Sequence, residues 1–346
     1  MGSWFWHPSF WLPKGYQWED IASTSEKQYP NFQDVLTYPL FIGSFIYLFR
    51  FGFLNPYVFE PLAQRLGLRY KIKKSVQKNL LLEKLFEVSG GKVSDIAICG
   101  AADSLRWTKR QVQRWLRLRT NQVKLNKLEK FQESAFVASY HVVISLYGLY
   151  VMHDKPWLND ISYTWKGFPK LEISTGEWRY YIISVSFYWA FCFSHLRSGV
   201  TEYIHHMITI LLLTFSWAVN LIRAGSLVLL VHECGDIFLQ IAKMCQYLKK
   251  DRATGILLFI FIAVWISTRL GLFPFWILKN MYFEAPKYVF MPAGHVFYFL
   301  LFGLLLLNIF WTGMIIIVIF KSFFKGSVIN DIRSSESDHS SDDHEN

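Results

Sequence analysis

The sequence predicts an all-α, multi-pass membrane protein with about seven transmembrane helices, and three observations carry that prediction. The chain of 346 residues is 52% hydrophobic and 18% aromatic, with a mean hydropathy of +0.21. Its apolar residues are gathered into long runs: His295 to Phe320 contains no Lys, Arg, Asp or Glu over 26 residues, against the roughly 20 a helix needs to cross hydrocarbon. Its positive charge is also partitioned. Residues 60–130 hold 17 Lys and Arg against 6 Asp and Glu, and the short segment KKDR at 249–252 is basic too. The positive-inside bias places both in the cytosol, and a seven-span threading with a lumenal N-terminus and a cytosolic C-terminus satisfies both.

Residues 1–33 read as a lumenal arm. Its start, WFWHPSFWLP, lacks the basic head and small-residue end of a cleaved signal peptide, and its amphipathic rings suit a membrane interface. Residues 34–55 form the first span, interrupted near its end by Arg50. Residues 65–130 form a basic cytosolic module. Residues 131–325 hold six spans, near 131–152, 179–197, 202–221, 224–247, 254–278 and 295–320, with Arg269 interrupting the fifth of these six. Short connections favour a helical bundle. The acidic tail, 326–346, is too poor in apolar residues to fold and is expected to be disordered in the cytosol. Ser335 and Ser340 each precede an acidic residue by three positions, which suits an acidophilic kinase; phosphates there would face the basic module, and an unregulated solvated tail is the alternative.

The net charge of +10 lies largely in the cytosolic module, where it suits anionic lipid headgroups or a phosphate-bearing substrate. The four cysteines, Cys99, Cys192, Cys234 and Cys245, show neither CxxC nor zinc-ligand spacing. Cys99 falls in the cytosolic module and the others in spans, so no disulfide is expected.

The chemistry is expected where ionisable groups enter the hydrocarbon, because their cost there marks them as functional by default. His205 and His206 open one apolar stretch; His232, Glu233 and Asp236 lie inside the next. At about 1.5 Å per residue, the histidine pair lies roughly 6–8 Å inside the cytosolic edge and Asp236 roughly 9 Å, so antiparallel neighbours bring them to similar depth. His232 and Asp236, four apart, share a helix face and are placed to hydrogen-bond. His205 and His206 diverge by about 100°, so one is expected to face a cavity and the other a neighbouring helix. A metal site competes for these ligands, but the repeated HxxxH and HxxHH boxes of membrane di-iron enzymes are missing, as is the GxSxG elbow of a serine hydrolase. A metal-free set of imidazoles and carboxylates remains, suited to acyl transfer with imidazole as base or nucleophile.

Within the basic module, RQVQRWLRLRTNQ at 110–122 resembles a homeodomain recognition helix through Val112, Trp115 and Arg119. Leu118 stands where that motif has its base-contacting Asn, so no nucleic acid is expected as a partner.

The run HHMITILLLTFSWAVNLIRAGSLVLLVHECGDIFLQIAKMCQY at 205–247 resembles the signature of ceramide synthases within the TLC domain. The aromatic start, the homeobox-like segment, WLND, SFYWAF and RLGLFPFWIL extend the likeness over nearly the whole chain in one order. The resemblance implies a six-helix TLC-type barrel with an intramembrane tunnel, preceded by one further span, in the endoplasmic reticulum membrane. It implies an N-acyltransferase that joins a fatty acyl group from acyl-CoA to a sphingoid base (sphinganine or sphingosine), giving (dihydro)ceramide without a cofactor or a metal. Catalytic positions carried over are His205, His206, His232, Glu233 and Asp236. The family reading is an acyl-imidazole on His205, with Asp236 accepting the proton of the amine; direct attack of the amine on the thioester, with His as base, is the alternative. Lys249, Lys250 and Arg252 are candidate contacts for CoA phosphates. The lumenal loop near Asn280–Gly294 is implied to influence acyl length. Glu233 departs from the family Asp, Cys234-Gly235 replace the usual small pair, and Gln240 stands where Glu is common. A non-catalytic TLC-type lipid-binding or translocon-associated protein is the alternative function; a fatty acyl elongase, disfavoured by the missing HxxHH box, is a weaker one. A homo- or hetero-dimer is left open.

Overall fold

The computed structural model describes residues 4–68, 76–89, 93–123, 126–194 and 200–325. The tail with Ser335 and Ser340, parts of the basic module and the end of the third expected span lie outside these residues, as does the side chain of Cys192. The described chain is helical, with no strand among the described residues. That is the arrangement a bilayer imposes, because a helix satisfies its own backbone donors and acceptors where no water can.

The N-terminal arm folds inward. Trp11 is 1% exposed, its indole donates to the Phe5 carbonyl at 2.7 Å, and Trp18 donates to the Trp6 carbonyl at 2.9 Å. Phe5, Trp6 and Trp11 ring Phe215. These aromatics therefore cap a protein core. Two ion pairs fasten the arm to the chain before the third expected span, Lys170–Asp20 at 2.9 Å and Lys27–Glu172 at 3.2 Å. The Gln17 backbone N–H and the Lys170 ammonium hold the Asp20 carboxyl below its ordinary range, so this fastening is complete at neutral pH and fades as pH falls through that lowered value.

Helix α1, Phe32–Arg65, is capped by Asn31, whose side chain accepts from Gln33 N–H, and widens to π-type turns over Arg50–Phe59. Helices α2 (Leu80–Val88), α3 (Asp95–Leu105) and α4 (Lys109–Val123) form the basic module. Leu82, Ile98, Val112 and Trp115 make its core, the Trp115 indole donates to Gln77 O at 2.8 Å, and Arg119 pairs with Glu83 at 2.9 Å. This is a folded unit on a core of its own, with Arg110, Arg114 and Arg117 left exposed on α4.

The remaining helices are α5 (Lys127–Met152), α6 (Thr175–Ser194), α7 (Val200–Ala218), α8 (Ile222–Tyr247), α9 (Asp251–Trp265, continued through Ile266–Leu278 and Lys279–Phe283) and α10 (Gly294–Lys325). Five helical stretches are long and apolar enough to cross a membrane: Phe32–Arg65, Lys109–Met152, Ile222–Tyr247, Asp251–Tyr288 and Gly294–Phe320. Helices α6 and α7 lie over the other two expected spans. They are 20 and 19 residues long and carry Glu177, Arg179, Glu202 and the histidine pair, which lowers their mean hydropathy. Helix α5 packs on α8, α8 on α9, α9 on α10, α10 on α7, α7 on α6 and α6 on α5, with α1 against α6.

Two local features set the depth of the site. Asn220, between α7 and α8, adopts φ +63°, a conformation Asn tolerates, and its amide donates to the Pro169 and Leu171 carbonyls at 2.7 Å each. That tight turn brings α7 and α8 back antiparallel with their polar residues level. Gly148 of α5 lets Tyr180 of α6 approach closely: a Cβ there would meet the Tyr180 ring at 2.7 Å. Gly148→Ala is expected to cost roughly 1–3 kcal/mol of stability through overpacking, read as a lowered unfolding midpoint of the purified protein; an unchanged midpoint would show that the two helices separate freely.

Candidate active site

The five predicted residues separate into three environments. His205 and His232 both line a narrow apolar cavity between α7, α8, α9 and α10, with Thr209, Val228, Phe297 and Leu304 among its walls. The His205 ring stands edge-on to Trp311 at 5.1 Å, and its Nδ1 is buried without a hydrogen-bond partner. His206 turns away to Tyr188 of α6, ring centroids 5.9 Å apart. The divergence expected of adjacent helical residues is therefore realised, with His205 as the cavity-facing member.

His232 is 5% exposed. Its Nδ1 lies 2.8 Å from the Val228 carbonyl, which can only accept, so Nδ1 carries the proton. Nε2 then accepts from the Asn308 amide of α10 at 3.3 Å. Both ring nitrogens are thereby engaged, and the hydrogen bond expected between His232 and Asp236 gives way to another arrangement. Asp236 pairs instead with Arg269 of α9 at 3.3 Å, and the Arg269 side chain is 3% exposed. The physical reason is charge: an intramembrane carboxylate gains more from a guanidinium than from a neutral imidazole.

Glu233 is fully buried and points to α6, where Tyr180 donates to Oε2 at 2.9 Å and Ser184 lies 3.4 Å from Oε1. It shares α8 with His232 but does not line the cavity of His205 and His232. Lys249, Lys250 and Arg252 are exposed at the α8–α9 turn, roughly 20 Å along the helix from Asp236 at 1.5 Å per residue. Among the described residues no three His, Cys, Asp or Glu side chains gather as a metal cage, and Cys99, Cys234 and Cys245 are free thiols.

A second cavity of about 400 Å³ lies under residues 281–298 and shares Leu221, Met281 and Phe297 with the first. Its rim is pinned by Trp165 donating to Asn280 Oδ1 at 2.6 Å and by Tyr298 donating to the Met281 carbonyl at 3.0 Å. The two cavities adjoin at Leu221, Met281 and Phe297, the first holding the imidazoles and the second lying under residues 281–298. The expected loop, Asn280–Gly294, is thus the wall of the far end.

The family model of the TLC domain matches residues 130–317. Human ceramide synthase 5 is 33% identical over 343 residues, covering 96% of this chain and 86% of that protein. Human ceramide synthase 3 is 33% identical over 349 residues, covering 97% and 88%, and mouse ceramide synthase 5 is 34% identical over 340 residues, covering 96% and 81%. The chain belongs to the ceramide synthase family. It is accordingly a TLC-domain membrane acyltransferase.

Arg269, Asn308, Tyr180 and Ser184 escaped the reading of the sequence as site residues. Arg269 and Asn308 left a signal, since each is a polar group inside a long apolar run; Arg269 was read only as blurring a span boundary. Tyr180 and Ser184 left none beyond their one-turn spacing. Tyr180→Phe is expected to remove one of the two donors to Glu233 at a cost of roughly 1–3 kcal/mol, lowering the unfolding midpoint while the KM for acyl-CoA stays unchanged. A raised KM with an unchanged midpoint would place Glu233 at the substrate instead.

Proposed function

We propose that the chain transfers a fatty acyl group from acyl-CoA to the amine of a sphingoid base, forming ceramide or dihydroceramide, in the endoplasmic reticulum membrane. In this reading the N-terminus is lumenal, the C-terminus is cytosolic, and α6 and α7 complete seven spans of which six enclose a tunnel. The supporting observation is a cavity-lining imidazole, His205, whose buried Nδ1 has no hydrogen-bond partner, beside two adjoining apolar cavities. A lipid chain can stay in hydrocarbon-like surroundings along those cavities while its carboxyl carbon rests at the imidazole. CoA, too polar to enter, stays at the cytosolic mouth near Lys249, Lys250 and Arg252.

The step follows from the groups present. A lone pair of the His205 imidazole attacks the thioester carbonyl, the C–S bond breaks, and CoA leaves as thiolate, which takes a proton to become the thiol. The neutral amine then attacks the acyl-imidazole carbon. The bond from carbon to imidazole nitrogen breaks, the imidazole leaves neutral, and the surplus amine proton passes to Asp236 and on to water, balancing the proton the CoA thiolate takes up and restoring both side chains. The net change is one thioester and one amine converted to one amide and one thiol. His206 and His232 position, with His232 fixed in its Nδ1–H form by Val228 and Asn308. Glu233 supports the site through α6, which is compatible with its extra methylene relative to the family residue.

In lipid nanodiscs, purified protein is expected to release CoA from a long-chain acyl-CoA in multiple turnovers only when a sphingoid base is present. His205→Ala and Asp236→Asn are each expected to lower amide formation by about 10²–10⁴-fold; full activity in both would remove the assignment. Met281 stands where the two cavities meet, so Met281→Trp is expected to shift the ceramides formed toward shorter acyl chains, measured by mass spectrometry of products from mixed acyl-CoAs. An unaltered distribution would mean that the chain does not run toward the lumenal cavity.

A further inference from the structure

Arg269 contacts Asp236, the His232 carbonyl and Asn308, yet it lies on a different helix from all five predicted residues. It sits in the π-type stretch Ile266–Leu278, where wider turns change which residues face inward. It is 2% exposed. One terminal nitrogen donates both to Asp236 Oδ2, at 3.3 Å, and to the main-chain carbonyl of His232. The other reaches Asn308 Oδ1 at 3.5 Å, and the Asn308 amide in turn donates to His232 Nε2. The guanidinium also lies 4.7 Å from the Trp265 ring centroid. Trp265 is fixed by Thr312 at 2.9 Å and abuts Trp311, which stands against His205.

A buried guanidinium with these contacts is geometrically specific. Its planar fork sets one nitrogen on the Asp236 carboxylate and the His232 carbonyl and the other on Asn308, a spread that a single ammonium cannot reproduce. We propose that Arg269 is a positioning residue for acyl transfer, holding Asp236 directly and His232 through Asn308 so that both face the acyl carbon at His205. This rests on the acyl-transfer reading of His205 and Asp236 given above. Arg269 meets neither substrate. It fixes Asp236 as an ion beside the point where the amine proton must leave, and it keeps the His232 ring in one plane along the cavity wall. Removing it leaves a carboxylate free to rotate away from the amine, while the apolar chain path, built by other residues, stays intact.

The test compares Arg269→Gln and Arg269→Lys in the full chain in nanodiscs, with unfolding midpoints recorded alongside amide formation at varied acyl-CoA. Arg269→Gln is expected to lower kcat about a hundredfold, as a roughly 1 Å misplacement of a reacting group does, with the KM for acyl-CoA nearly unchanged. Arg269→Lys is expected to recover about tenfold of that loss, because an ammonium still pairs with Asp236 but cannot also fork to the carbonyl and Asn308. Wild-type kcat in Arg269→Gln overturns the proposal. So do equal losses in both variants with KM rising in proportion, which would mark Arg269 as packing alone. Should Arg269→Gln fail to assemble, Arg269→Lys decides: a lowered kcat at constant KM supports the role and a wild-type kcat overturns it. If His205→Ala and Asp236→Asn are fully active, the acyl-transfer reading itself falls. If both are inactive while Arg269→Gln turns over normally, only the positioning role falls.

Discussion

A bilayer core offers no water to a polar group, so each one buried there must find its partner in protein. The pair of Arg269 and Asp236 is where that constraint acts most strongly. Either ion alone in the hydrocarbon would be costly, and breaking a buried pair by removing one partner commonly costs about 3–5 kcal/mol. The pairing fixes the rotation of α9 against α8, because the guanidinium must reach both Asp236 and the His232 carbonyl. Through Asn308 it also sets the face that α10 presents. Once α8, α9 and α10 are oriented, their apolar residues, with those of α7, leave the narrow cavity on which His205 and His232 open.

The same rule explains the division between α6 and the cavity. Glu233, one residue along from His232, faces the opposite helix, and there Tyr180 and Ser184 satisfy it. Tyr180 can come so close to α5 only because Gly148 has no side chain. A small residue in one helix, an aromatic hydroxyl in the next and a carboxylate in a third thus form a chain of dependence. At the end of the bundle near the N-terminal arm the polar demand is met differently: Asn220 satisfies two carbonyls and turns the chain, while indoles of the arm donate to its own backbone.

Much of this was legible in the residues. Uncharged runs such as His295–Phe320 specify helices by length alone, and the divergence of His205 from His206 follows from helical rotation. The similar depth of the α7 and α8 histidines followed from rise per residue and a short turn. What spacing along one helix does not contain is the partner supplied by another. His232 and Asp236 share a face and invite a mutual hydrogen bond, yet Arg269 and Asn308 arrive from later helices and claim one each. Those contacts depend on which faces meet, which packing decides, and the π-type turns around Arg269 shift its phase from that of a regular helix. The buried state of Trp11 was hidden for the same reason, since an aromatic arm reads alike whether it faces lipid or folds over a core.

The central claim is that the acyl chain lies along the path from His205 past Met281 and Phe297 toward the loop between α9 and α10. A fatty acyl-CoA carrying a diazirine at the chain terminus tests it directly, with photolysis in nanodiscs and the labelled peptides identified by mass spectrometry. The account predicts attachment within residues 281–298, suppressed by excess unlabelled acyl-CoA. Attachment instead to the exposed residues of α1, such as Phe41 and Phe45, with the 281–298 region unlabelled, would contradict it.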